Sequence, residues 1–124
     1  MKAKILLLIS LFFTVTLFAQ KHIQIVPKKV NVGKIRVYKK AKGVYHIYNH
    51  AKKPLIIVDA EGSCGCVNVS YSRKPIPPGG SSTVIITFRP YCVGKFQKYG
   101  FLIFSLGGKR FAEQLELEGE AVKK

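Results

Sequence analysis

The sequence predicts an all-β domain, a two-sheet β-sandwich of about seven strands preceded by a signal peptide. Three observations carry this reading. Short apolar runs alternate with polar residues at the two-residue period of a half-buried strand, as Val84, Ile86 and Phe88 do against Thr83 and Thr87. Clusters of Gly, Pro, Asn and Ser separate the runs, most clearly Pro75 to Ser82 and Gly107-Gly108. No window places apolar residues at helical spacing over three turns, and no segment repeats at a fixed period. Strands at this spacing favour a sandwich over a closed barrel, a choice that periodicity alone leaves open.

The chain begins with Lys2 and Lys4, an apolar run from Ile5 to Phe18, then Ala19 and polar Gln20. That is the layout of a secretory signal peptide covering residues 1–19, with the folded domain at 20–124. As a membrane anchor the run is short, about 14 residues against the ~20 that a spanning helix needs, and Thr14 and Thr16 interrupt it. No cysteine follows Ala19 to take a lipid, and no later segment is apolar enough to anchor the processed chain. The chain is therefore expected to be exported, without a transmembrane anchor, to the periplasm or beyond. Export would place its three cysteines in an oxidising compartment.

Removing 19 of 124 residues leaves 105, enough for one core, and losing Lys2 and Lys4 lowers the formal charge from +15 to +13. The six acids sit in two places, Asp59 and Glu61, then Glu113, Glu116, Glu118 and Glu120. Such a balance attracts polyanions. With a signal peptide and no nucleic-acid motif, the expected partner is an unknown protein or an anionic envelope polymer, not nucleic acid. Solubility of a small secreted domain is the competing use of the charge.

Along the domain, Ile23, Ile25, Val30 and Val32 around Pro27 read as an edge strand. Gly33 to Gly43 reads as a charged edge or loop. Tyr45 and Ile47 start a strand that turns at Asn49-His50, and Pro54 to Ala60 forms its hairpin partner. Val67, Val69 and Tyr71 mark a short strand, then Val84 to Phe88 another. Phe96 to Ser105 is expected to turn Tyr99, Phe101 and Ile103 inward. Gly107-Gly108 permits a tight hairpin into a last strand with Phe111, Leu115 and Leu117 on one face. Its other face carries Gln114, Glu116 and Glu118, suited to pairing with lysines of a neighbouring strand.

Tyr45-x-Ile47-x-Asn49, Lys53-Pro54-Leu55-Ile56-Ile57, Ser63-Cys64-Gly65-Cys66, Pro75-Ile76-Pro77-Pro78-Gly79, Gly94-Lys95-Phe96-Gln97-Lys98 and Leu115-x-Leu117-x-Gly119 follow one another in a telling order. The chain from about Gly33 to Val122 resembles the domain-of-unknown-function family numbered 1573. The resemblance implies an immunoglobulin-like sandwich akin to the major-sperm-protein and ASH domains, exported by Gram-negative bacteria. It marks Cys64 and Cys66 as the family's paired cysteines and Asn49 as a turn residue closing the first hairpin. It implies no catalytic residues, and Cys92 lies outside its pattern.

Three cysteines allow bonds 64 to 66, 64 to 92 or 66 to 92, each leaving one thiol. The first needs a sharp curl at Gly65 and would be readily reduced. A bridge to Cys92 would close some 25 residues and stabilise by roughly 3 kcal/mol on the chain-entropy model. A thiol-redox or soft-metal role through Cys64 and Cys66 is the alternative function, although their spacing is not Cys-x-x-Cys and His22, His46 and His50 are scattered. No Ser-His-carboxylate grouping or phosphate loop is present, so neither catalysis nor a cofactor is expected. The leading expectation is a non-enzymatic interaction module. It would use a sheet edge or a basic surface, with Lys34, Arg36, Lys39, Lys40 and Lys42 as the anionic contact.

Overall fold

Residues 22–123 are described by a computed structural model. The expected signal peptide at 1–19 lies outside the described residues. Alternation governs the strand Ala41–Asn49, where every second residue is buried and the others are exposed. Tyr45 and Ile47 are thereby driven inward together, and burying a side chain of that size contributes about 1.5–3 kcal/mol.

Eight strands follow in chain order: β1 (Ile23–Val26), β2 (Lys29–Arg36), β3 (Ala41–Asn49), β4 (Leu55–Gly62), β5 (Val67–Ser70), β6 (Ser81–Phe88), β7 (Gly94–Leu106) and β8 (Lys109–Val122). They form two four-stranded sheets, β1-β3-β6-β5 and β2-β8-β7-β4, packed face to face as an immunoglobulin-like sandwich. Tyr45, Ile47, Val84, Ile86 and Phe88 from the first sheet meet Leu55, Ile57, Leu102, Phe104, Leu115 and Leu117 from the second. The Tyr45 hydroxyl crosses between the sheets and donates to the Glu116 carbonyl, so this large ring is buried with its polar end satisfied. Burial pushes its pKa up to about 12, with the Glu116 charge adding to the effect.

Several expectations are corrected. The stretch from Ile23 to Val32 is two strands, because the chain leaves the first sheet at Pro27 and enters the second at Lys29, where β2 runs parallel to β8. Gly33 to Arg36 belongs to β2 and Ala41 to Gly43 to β3, leaving only a short turn between them. β3 and β4 are not a hairpin. Both sides of β3 are already occupied, by β1 and β6, so the chain crosses to the other sheet and β4 pairs with β7. The inward residues of β7 are Gly100, Leu102 and Phe104, while Phe101 is exposed and Ile103 only partly buried. Both parities of that strand are apolar, so alternation could not choose, and the bare Gly100 is what fits against Ile86: a Cβ there would lie 2.6 Å from Ile86 Cδ1. β7 and β8, at 13 and 14 residues, extend beyond the expected stretches, Phe96 to Ser105 and the run from Phe111 to Glu118. They pair along their whole length around the Gly107-Gly108 turn, where both glycines have positive φ as expected.

Candidate anion-binding interface

Two loops meet at one end of the sandwich. Residues 37–40 join β2 to β3, and residues 89–93 join β6 to β7. The Tyr38 N–H donates to the Pro90 carbonyl at 2.7 Å, and the Val37 N–H to the Val122 carbonyl at 3.0 Å, so loop is tied to loop and the first of them to the end of β8. The Lys39 N–H closes the turn on the Arg36 carbonyl at 3.1 Å. Beneath them Ala41, Phe88 and Pro90 are buried and form the floor.

The five predicted cations all lie along this end and all are exposed. Lys34 and Arg36 occupy the outer face of the second sheet, opposite Glu120 and Val122 of β8. Lys39 and Lys40 stand at the tip, and Lys42 continues onto the outer face of the first sheet, opposite Thr87. The basic stretch therefore wraps from one face over the end to the other. Folding adds residues that sequence reasoning missed: Arg89, Lys95, Tyr38, Tyr91 and Val93, all exposed. The acid-free segment Arg89 to Val93 carried that signal, but its position some 50 residues downstream hid it from any local reading.

Apart from Glu120 the acids lie elsewhere, and Glu113, Glu116 and Glu118 are held in ion pairs. All six sit on β4 or β8 of the second sheet; the first sheet carries none. Lys29 reaches Glu118 at 3.3 Å and Glu116 at 3.6 Å, the cross-strand pairing expected for that face, and Lys28, ahead of β2, pairs with Glu113 of the other parity at 3.4 Å. Asn31 and Gln97 donate further hydrogen bonds to Glu118 and Glu116. The hydrogen bond to Glu118 and the neighbouring Glu116 charge raise the Lys29 pKa. Among the described residues these are the only ion pairs, so the cations of the two-loop end are not neutralised by one.

The cysteines resolve differently from a bridge to Cys92. Cys64 and Cys66 are joined, with Cα atoms 5.3 Å apart, and Cys92 is a free, exposed thiol in the 89–93 loop. A closed loop this small removes little chain entropy, so the bond itself contributes little stability. The segment is instead held by the Ser63 N–H donating to the Tyr99 carbonyl and the Tyr99 N–H donating to Ser63 Oγ. Gly65 is not needed for space: a Cβ there would meet nothing within 4 Å, and its φ is not in the left-handed region. No group of three potential metal ligands occurs among the described residues.

A second feature lies at the other end. Pairing of β2 with β8 starts at Glu116, leaving the first half of β8 without a neighbour on that side, and β1 is likewise an edge. Between them opens a groove of about 720 Å³ lined by Ile23, Ile25, Leu106 and Phe111, with Lys28 and Glu113 at its polar margin.

The two sheets, the crossover at Pro27 and the long β7-β8 hairpin define the class, an immunoglobulin-like two-sheet sandwich, whose fold is similar to that of ASH, PapD-like and major-sperm-protein domains. The ASH/PapD-like domain 7 of human CEP192 superposes with a TM-score of 0.65 at 13% identity, covering 83% of this chain and 87% of that one. WR4, an MSP family member of C. elegans, gives 0.58 at 11% identity over 83% of this chain and 100% of its own. A protein of unknown function from Porphyromonas gingivalis W83 gives 0.64 at 15% identity, with 82% of this chain matching half of that one. At these identities the likeness is one of fold. The chain belongs to the family described as "Protein of unknown function (DUF1573)", whose pattern it matches over residues 23–121. The match begins ten residues earlier than the motifs indicated and takes in β1. No curated protein matches it.

Proposed function

We propose that the chain is an exported, non-enzymatic interaction module of the bacterial envelope, and that its two-loop basic end holds an anionic partner. One observation carries this reading. Exposed cations from two stretches far apart in sequence, 34–42 and 89–95, converge on an end that holds no ion pair among the described residues, whereas the acids are gathered on β4 and β8. Leaving like charges together and unpaired disfavours the compact state, and an anionic ligand relieves that cost. Exposed contacts of this kind must weaken as the screening length shrinks. Binding of soluble polyphosphate is expected to fall steeply from roughly 0.05 to 0.5 M salt, and by tenfold or more in Lys39→Gln/Lys40→Gln. Affinity indifferent to both changes overturns the assignment.

A second reading is favoured by the β1–β8 groove, where an extended segment of a protein partner would pair with a free strand edge and place apolar side chains beside Ile25 and Phe111. In a thiol-exchange role a partner's thiolate would attack the Cys64–Cys66 bond to give a mixed disulfide, whereas soft-metal binding by the two sulfurs would need that bond reduced.

A further inference from the structure

Charge alone does not account for what stands at the tip. Tyr38, Tyr91 and Val93 are 68%, 63% and 61% exposed, the three most exposed large apolar side chains of the described residues. All three sit on the two loops that the Tyr38–Pro90 hydrogen bond ties together. A soluble polyanion would be held by the surrounding lysines and arginines and gives these side chains nothing to enter. An anionic bilayer gives both kinds of group a place.

We propose that the tip formed by residues 37–40 and 89–93 docks on an anionic lipid bilayer. Tyr38, Tyr91 and Val93 enter the headgroup region, and Arg36, Lys39, Lys40, Lys42, Arg89 and Lys95 lie over the lipid phosphates. Tyrosine suits that depth because its ring is apolar and its hydroxyl remains wet. Each cation near a negatively charged leaflet adds to the attraction, within a Debye length of the surface. The arrangement of the cations fits a surface approached end-on. Lys34 and Arg36 lie on one outer face of the sandwich, Lys42 on the other, and Lys39 and Lys40 at the tip between them. Standing on this end, the domain holds Asp59, Glu61, Glu113 and Glu116 away from the lipid, and Glu118, the next acid along β8, is paired with Lys29. Glu120, flanked in register by Lys34 and Lys95, is the one acid at the margin.

The backbone is shaped for presenting rather than hiding the tip. Tyr38 has φ 71°, in the left-handed region where a bulky residue is uncommon and where glycine or asparagine would be the easier choice. That conformation is held by the Tyr38 N–H bond to Pro90, while the ring itself stands out in solvent. Strain retained at an exposed aromatic points to use of the side chain, since no packing requires it. Because the loops are already tied to each other, little ordering entropy is lost on docking.

This inference rests on the basic-end reading, and its test separates the two. The processed protein, with the same terminus in every variant, is sedimented with vesicles of phosphatidylcholine containing about 30% phosphatidylglycerol and with pure phosphatidylcholine vesicles. Polyphosphate binding is measured in parallel. The wild type is expected to bind only the anionic vesicles. Tyr38→Ser/Tyr91→Ser/Val93→Ser, which leaves every charge in place, is expected to lose tenfold or more of that binding while holding polyphosphate as before. Equal vesicle binding by this variant, or polyphosphate binding without vesicle binding, overturns the bilayer proposal and leaves the basic-end reading standing. Binding to neither anionic probe removes both. An environment-sensitive fluorophore on Cys92, the free thiol in the second loop, should shift to the blue on anionic vesicles alone, and an unshifted spectrum at saturating lipid contradicts insertion.

Discussion

β3 connects two ends of the molecule built on opposite terms. At its C-terminal end Asn49 is wholly buried and every polar group it carries has a partner. Its amide donates to the Lys53 carbonyl at 2.9 Å and the Ile76 carbonyl at 2.8 Å, and its Oδ1 accepts the Ala51 N–H at 2.9 Å. Its backbone exchanges hydrogen bonds with Gly80 and Gly79. At the N-terminal end of the same strand, Lys39, Lys40 and Lys42 are exposed with no ion pair among the described residues. One end uses polar groups to close the crossover between sheets, and the other leaves them available. Stability and binding are thus expected to respond to different residues.

The sharpest way to break this contrast is Asn49→Ala. It leaves the buried Ala51 N–H without an acceptor and takes a donor from the Lys53 and Ile76 carbonyls, the latter still bonded to the Leu55 N–H, so a loss of about 2–4 kcal/mol is expected, read as a melting temperature lower by roughly 10–20 °C. A shift of only a few degrees would show that Asn49 is not a latch.

Tyr45, midway along β3, provides the next test. Its pKa is raised from the ordinary 10.0 to about 12, so the folded state holds the phenolic proton more tightly than the unfolded state does. The resulting stabilisation is complete below about pH 10 and is lost as pH rises from 10 towards 12. Tyr45→Phe should cost about 1 kcal/mol at neutral pH and lack this part of the alkaline loss. Parallel urea titrations of the two proteins at pH 8 and 11.5 measure the difference, and identical alkaline losses would contradict it. The smallest effect belongs to the basic end. Lys39→Gln/Lys40→Gln should leave thermal stability within about 0.5 kcal/mol of the parent, even where polyanion binding collapses.

The same contrast marks how far the sequence could be read. Val84, Ile86 and Phe88 declared the buried face of β6 because polar residues separate them, and the acidic face of β8 found its lysine where cross-strand pairing required one. β7 was illegible in its parity, since Tyr99, Phe101 and Ile103 are no less apolar than Leu102 and Phe104; only the packing of Gly100 against Ile86 decides. Asn49 reads as a hairpin turn because Asn49-His50 ends an alternating run, and its bond to the Ile76 carbonyl, far along the chain, cannot be seen from local residues. Lys34 to Lys42 were visible as a charged run. That Tyr38 would meet Pro90, and so bring Arg89, Tyr91 and Val93 beside that run, is a tertiary fact.

The most direct test of the division between the two ends is a residue-resolved amide NMR titration of the protein with polyphosphate at low salt. Chemical-shift changes confined to residues 34–42 and 89–95 are expected, with Asn49, Ala51 and Ile76 unmoved. Changes centred on the β1–β8 groove, or spread evenly over every exposed lysine, would contradict it.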